Sequence, residues 1–170
     1  MKQNSVILSF GRHQSYGYDT EIERESMLAA YYIGTILQQI LPQCETVYYS
    51  PVARASVTAR FEALGMKCSH LIETHFLEES SVKYAVQNFI NELIKNTSDE
   101  VFYYHFVTHL PVIEKLGLPF LGQGDVCLLI ADSWTEVLAK NYNIQVIKAH
   151  KTPLYLWQKL SLNEQSIAKL

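Results

Sequence analysis

Hydrophobic residues fall along this chain in two alternating rhythms. Val6-Ile7-Leu8-Ser9-Phe10 is a short apolar run of the length a buried strand needs. Over residues 23–41 the apolar positions recur at helical spacing, at Ala30, Ile33, Gly34, Leu37, Ile40 and Leu41, and Pro42 stops the helix this predicts. Thr46-Val47-Tyr48-Tyr49 predicts a second strand. Ser50-Pro51 then reads as a helix start, with Ser as cap and Pro in the first helical position; that helix runs to about residue 64, where Gly65 closes it. Residues 68–72 predict a third, weaker strand. Ser80 or Ser81 caps a helix carrying Val82, Val86, Phe89, Ile90, Leu93 and Ile94 on one side, and Glu78 and Glu79 suit its positive N-terminal end. Residues 101–107 are continuously apolar, as a strand covered on both faces must be. A short helix at 110–116 and a buried strand at 126–131 follow. Residues 133–141 read as a helix or a strand extension, 144–149 as an edge strand, and Pro153 onward as a terminal helix.

Strand alternating with helix predicts an α/β fold: a three-layer sandwich with a mostly parallel central sheet and helices on both faces. No internal repeat, low-complexity stretch or linker interrupts it, so residues 1–170 are expected to form a single domain.

Composition narrows the classes. Apolar residues make up 48% and aromatic residues 12%, which is globular, and no run approaches the ~20 apolar residues of a membrane span. The first residues, Met1-Lys2-Gln3-Asn4, lead directly into the first strand without a secretory leader, so a cytoplasmic protein is expected. A net charge of −3 with no basic run argues against a nucleic-acid partner. Three cysteines, Cys44, Cys68 and Cys127, are too few and too widely spaced for a disulfide framework or a zinc knuckle. No cofactor motif is present, and nothing in the sequence bears on oligomeric state.

The chemistry lies past the strand ends, where parallel α/β sheets bind ligands. The first strand ends in Arg12 and His13. The second is followed by Ser50 and, one helical turn on, Arg54; the third by Glu73 and His75; the central run by Thr108 and His109. Two arginines and two histidines from remote segments thus converge on one sheet edge. Guanidinium forks bind phosphoryl oxygens, a neutral imidazole can attack phosphorus, and a second histidine can offset charge growing on the equatorial oxygens. No metal is required, because the cations belong to the protein. His105 and His109 stand four apart, the spacing of a metal pair on a helix, but their segment reads as strand and Pro111 follows, so His105 is expected to be a sheet histidine. Gln14, Ser15, Glu73 and His75 are expected to line the substrate pocket, and Glu73, Glu78 and Glu79 are candidate proton donors.

Three blocks carry a resemblance. Phe10-Gly11-Arg12-His13 resembles the opening Arg-His-Gly motif of the histidine phosphatase (phosphoglycerate mutase-like) superfamily. Ser50-Pro51-Val52-Ala53-Arg54-Ala55-Ser56-Val57-Thr58-Ala59 is similar to its second block, Ser-Pro-x-x-Arg-Ala-x-x-Thr-Ala. Phe106-Val107-Thr108-His109-Leu110-Pro111 is similar to its third, an apolar strand ending in Thr or Ser and then His. The absence of a large inserted cap makes the short phosphohistidine phosphatase branch the nearest in kind. The resemblance implies a phosphoglycerate mutase-like fold and a metal-independent phosphatase. In it, His13 becomes phosphohistidine, Arg12 and Arg54 clamp the phosphoryl group, and His109 completes the pocket. The implied partner is a phosphohistidine protein or a phosphorylated small molecule.

The chain departs from the family pattern where Gln14 replaces the Gly after the first His, and where Ile22-Glu23 and Ser26 stand at the start of the first helix. These departures motivate the alternative of a catalytically silent relative that binds a phosphorylated ligand. A mutase is the weaker option, since no long insertion is present to exclude water.

Overall fold

The computed structural model describes residues 5–14, 20–98 and 100–149. Six strands form one sheet: β1 (Val6–Arg12), β2 (Thr46–Tyr49), β3 (Leu71–Glu73), β4 (Tyr103–Thr108), β5 (Val126–Ala131) and β6 (Asn143–Ile147). Their order is β3-β2-β4-β1-β5-β6. β1, β2, β3 and β4 pair in parallel, and β5 runs antiparallel to both β1 and β6. The carboxyl ends of β1, β2 and β4 therefore meet on one edge.

Among the described residues five α-helices cover the two faces: α1 (Thr20–Ile40), α2 (Ala53–Met66), α3 (Lys83–Lys95), α4 (Leu110–Lys115) and α5 (Trp134–Leu138). Strand alternation sorts the core into two halves. Ile7, Val47, Tyr49, Tyr103, Val107 and Leu128 pack with Ile33 and Leu37 of α1 and Ala55, Ala59 and Ala63 of α2. Leu8, Phe10, Tyr48, Tyr104, Phe106 and Leu129 pack with Val86, Ile90 and Ile94 of α3, Val112 and Ile113 of α4, and Trp134 and Val137 of α5. This is the predicted three-layer sandwich with a mostly parallel sheet.

α1 and α2 cross closely because glycine removes side chains at the contact. A Cβ on Gly34 would lie 2.1 Å from the Glu62 carbonyl oxygen, and one on Gly65 would lie 2.2 Å from that of Tyr31. Gly65 therefore serves the helix crossing; α2 continues to Met66, and Lys67, in the left-handed region at φ 57°, ends it.

Several predicted boundaries shift. β3 begins at Leu71 rather than residue 68, because the chain spends residues 67–70 leaving α2. The helix expected from Ser80 or Ser81 begins at Lys83, with Val82 at its N-cap and no side-chain cap; a 3₁₀ turn at His75–Leu77 precedes it. Of residues 133–141, Trp134–Leu138 form a helix, capped by Ser133 Oγ, which accepts the Glu136 N–H at 3.2 Å. The terminal helix expected from Pro153 lies outside the described residues.

The α1/α2 side of the core contains one polar chain. Glu62 Oε2 and His105 Nε2 are 2.8 Å apart, His105 Nδ1 and Ser9 Oγ 2.5 Å, and Ser9 Oγ and Tyr103 OH 2.8 Å. All four residues are completely buried. His105 is thus a core histidine joining β4 and β1 to α2.

Candidate active site

Backbone hydrogen bonds continue past the strand ends and bring three segments together. His13 N–H donates to the Thr108 carbonyl at 3.0 Å, Ser50 N–H to Val107 at 3.1 Å, and Arg12 N–H to Asp125 at 3.0 Å. The residues that follow β1, β2 and β4 are thereby fixed against one another before any side chain is considered.

His13 is 7% exposed. Its Nδ1 lies 2.7 Å from the Gln14 carbonyl, which can only accept, so Nδ1 carries the proton and Nε2 the lone pair. Arg54 Nε–H donates to that lone pair at 3.1 Å. The His109 ring faces that of His13, with centroids 5.0 Å apart and planes at 58°. His109 is fully buried; its Nε2 is 2.9 Å from Ser50 Oγ, and its Nδ1 is 3.2 Å from Glu79 Oε1 without a hydrogen bond of good direction. Arg54 Nη2 also donates to Glu79 Oε1. Arg12 Nη1 donates to the Leu121 carbonyl at 2.9 Å, and its Nε, buried, has no partner.

Both imidazoles are held neutral. Burial is the largest cause lowering His13 below the usual histidine range, with the Arg54 and Arg12 charges adding to it against the pull of the Gln14 carbonyl. Burial, then the neighbouring His13 and Arg54, push His109 down to about 4. A neutral imidazole whose Nε2 lone pair meets a guanidinium has the chemistry of a nucleophile beside an anion-binding group.

Supporting residues come from places the strand-end survey did not reach. Thr58 Oγ1 donates to the Arg54 carbonyl at 2.8 Å and accepts the Gln14 N–H at 3.0 Å, tying α2 to the segment after β1. Its place in the Thr-Ala pair of the second block was the available signal. Thr108 Oγ1 donates to the Leu77 carbonyl at 2.7 Å, and Lys115 Nζ donates to the carbonyls of Glu79 at 2.6 Å and Ser81 at 2.8 Å. These bonds hold the segment bearing Glu79; no sequence feature pointed to Lys115. Asp125 braces the loop that receives Arg12, through Gly122 N–H at 2.8 Å and Lys148 Nζ at 2.8 Å.

The expected pocket residues divide. His13, Arg54 and His109 come together, and Arg12 stands next to His13 with its guanidinium on the Leu121 carbonyl. Gln14 is buried, but its side chain lies where a Cβ on Gly124 would meet Nε2 at 2.2 Å, and Nε2 has no hydrogen-bond partner. Glu73 and His75 do not join the group: Glu73 is exposed at the end of β3, and His75, with a side chain 83% exposed, pairs with Glu78. Ser15 lies outside the described residues. Of the three candidate acids, Glu79 contacts both Arg54 and His109, whereas Glu78 hydrogen bonds to His75 and Ser80.

No protein-family model matches the sequence, and no curated protein matches it. Solved structures do match in fold. The protein histidine phosphatase SixA complexed with tungstate superposes with a TM-score of 0.68 at 15% identity, over 85% of this chain and 97% of that one. A mycobacterial glucosyl-3-phosphoglycerate phosphatase gives 0.59 at 12% identity, over 84% and 97%. A phosphoglycerate mutase from Plasmodium falciparum gives 0.56 at 17% identity, over 86% and 91%. The chain therefore has the phosphoglycerate mutase-like fold. No helix among the described residues is long and apolar enough to cross a membrane.

Proposed function

We propose that this chain is a phosphatase of the histidine phosphatase type, working through a phosphohistidine on His13 and needing no metal. The observation that carries this reading is the fixed tautomer of His13. Its Nδ1–H is spent on the Gln14 carbonyl, and its Nε2 lone pair faces the Arg54 guanidinium with the His109 ring beside it. The fold shared with the solved phosphatases supports it.

In the first step the Nε2 lone pair forms a bond to phosphorus while the bond from phosphorus to the leaving group breaks, and the leaving atom takes that electron pair. Arg12 and Arg54 hold the phosphoryl oxygens. Ser50 Oγ can give or accept a proton at His109 Nε2, so Nδ1 can present an N–H to a phosphoryl oxygen. Glu79 is the carboxyl group placed to protonate a departing oxygen. In the second step water attacks phosphorus and gives a proton to the Glu79 carboxylate, the nitrogen–phosphorus bond breaks, and Nε2 recovers its lone pair. The substrate is a phosphohistidine protein or a small phosphomonoester, and the site of action is the cytoplasm.

The test is phosphate release from a chromogenic phosphomonoester and from a phosphohistidine peptide, with an alkaline quench and mass spectrometry to find phosphate on His13. The expected result is turnover in the wild type, none above background in His13→Ala, and a trapped phospho-His13. Equal rates in the two proteins end the enzyme reading.

A second reading, a silent phosphate-binding relative, is favoured by Gln14, whose buried amide Nε2 has no partner at the position next to the nucleophile. It predicts saturable vanadate binding without turnover, weakened in Arg54→Ala.

A further inference from the structure

We propose that His13 Nε2, His109 Nδ1 and the Glu79 carboxylate form a zinc site, so that Zn²⁺ binds this pocket in competition with phosphate. The competition rests on the phosphatase reading; the binding does not.

His13, His109 and Glu79 each offer one ligand atom within 4.8 Å of the others. Zinc bonds imidazole nitrogen at about 2.0–2.1 Å, which sets neighbouring tetrahedral ligands about 3.3 Å apart. His109 Nδ1 and Glu79 Oε1 already stand at 3.2 Å. Closure on a metal thus requires small side-chain shifts and no movement of a strand.

The remaining nitrogen of each ring is engaged in the way that metal-binding imidazoles use. His13 Nδ1 is fixed by the Gln14 carbonyl, and His109 Nε2 by Ser50 Oγ. Ser50 Oγ also takes the Val52 N–H at 3.4 Å. When it accepts from His109 Nε2 as well, the His109 lone pair is on Nδ1, beside the Glu79 carboxylate. That atom is fully buried and has no hydrogen-bond partner, an unmet need that a metal would meet.

Charge decides the class of metal. Two neutral nitrogens and one carboxylate suit zinc, copper or nickel, and they are a poor set for magnesium or calcium, which want oxygen. The opposing term is the pair of cations, Arg12 and Arg54. Arg54 must release His13 Nε2, and its side chain, 34% exposed, has solvent to turn toward. Glu79 can follow the metal while its backbone stays, because Lys115 holds the Glu79 and Ser81 carbonyls.

The experiment uses the full chain, stripped with a chelator and titrated with Zn²⁺ against a chromogenic zinc indicator, with Co²⁺ as a spectroscopic stand-in. One equivalent is expected, with the intense visible bands of tetrahedral Co²⁺, displacement by vanadate, and no binding of Mg²⁺. His109→Ala and Glu79→Gln should each weaken zinc binding at least about tenfold. Circular dichroism checks that both variants fold, and the exposed Glu79 gives a variant whose folding is not in question. Cys44 and Cys68, buried thiols that hydrogen bond to each other, supply the competing explanation, so Cys44→Ser with Cys68→Ser should leave zinc binding unchanged. Zinc that follows the cysteines, or binding that survives in both His109→Ala and Glu79→Gln, overturns the proposal. If the protein shows no phosphatase activity yet binds zinc at these residues, the phosphatase reading fails alone. If it turns over substrate but has no zinc site here, the metal inference fails alone.

Discussion

Arg54 Nε–H donates to His13 Nε2 across 3.1 Å, so the lone pair proposed to attack phosphorus is held, in the free protein, by the guanidinium proposed to clamp the phosphate. Glu79 holds the far side of the same guanidinium. An incoming phosphoryl group would exchange both contacts at once, taking over Arg54 and releasing the nucleophile. The free pocket is in this sense occupied by its own counter-charges.

Arg54→Ala should therefore act on two observables. Without the guanidinium, kcat/KM should fall by about 10²–10³-fold, the range for losing one preorganised charged donor. The His13 pKa should rise toward that of a free imidazole, because Arg54 is one of the charges that lower it. An NMR titration of the imidazole measures the second effect. Arg54→Lys keeps the charge and loses the fork, so it should restore much of the pKa and little of the rate. A His13 pKa that does not move in Arg54→Ala would show that the two side chains are not coupled in solution.

His109 gives a signed pH prediction. Its folded pKa of about 4 lies below the unfolded value of about 6.5, so the native state binds fewer protons than the unfolded state between them. Its contribution to stability is fully present above pH ~6.5 and is lost as the pH falls toward 4. His13, lowered in the same direction, steepens the slope. Melting temperatures across that window should drop with acidification, and His109→Asn should flatten the curve. Binding of phosphate reverses the bias, because a nearby anion favours the charged imidazole. Calorimetry of phosphate binding near pH 6 in buffers of different ionisation enthalpy should report net proton uptake, absent in His109→Asn.

The parts of this molecule legible in its sequence are those where one physical requirement dominates. β2 and β5 appear at their predicted bounds because runs such as Val126–Ala131 can be nothing but buried strand. The two arginines and two histidines were legible because parallel topology sends the ends of β1, β2 and β4 to one edge. Boundaries set by competition were not. Ser50 reads as a helix cap, yet α2 starts at Ala53 with Val52 at its N-cap, and the Ser50 hydroxyl contacts His109 instead. Gly65 reads as a helix stop, yet its role is the crossing with α1. Glu79 could not be separated from Glu73 and Glu78 by spacing alone. The turn at His75–Leu77 and the Lys115 bonds decide which carboxylate reaches the pocket, and both are tertiary events.

The Glu62–His105 contact should be the weak point of the core. Both side chains are completely buried, and Glu62 Oε1 already lacks a partner. Removing one member of a buried charged or hydrogen-bonded pair strands the other, at a cost of about 3–5 kcal/mol. Glu62→Ala should approach that figure in denaturant titrations, whereas Glu62→Gln, which keeps an acceptor, should lose much less. Gly34→Ala should cost at least about 3 kcal/mol, since its Cβ would meet the Glu62 backbone rather than a movable side chain. A Glu62→Ala protein of wild-type stability would mean that His105 has another partner.

Glu79 can be tested for two roles in one variant. As the acid for a departing oxygen it matters in proportion to how poor the leaving group is. An alkyl phosphate leaves as a strong base and needs the proton, and positioned acids contribute about 10²–10⁴-fold in such cases. An imidazole, with a pKa of about 6.5, leaves with far less help. As the group that holds Arg54 in the free protein, Glu79 competes with substrate for the clamp. Glu79→Gln should therefore lower kcat on an alkyl phosphomonoester about a hundredfold or more while sparing a phosphohistidine peptide. It should also tighten vanadate binding, because the neutral amide no longer competes for the guanidinium. Fluorescence or calorimetric titration with vanadate reads the second effect independently of turnover. Equal losses on both substrates would remove Glu79 as the proton donor, and unchanged vanadate affinity would remove it as the competitor.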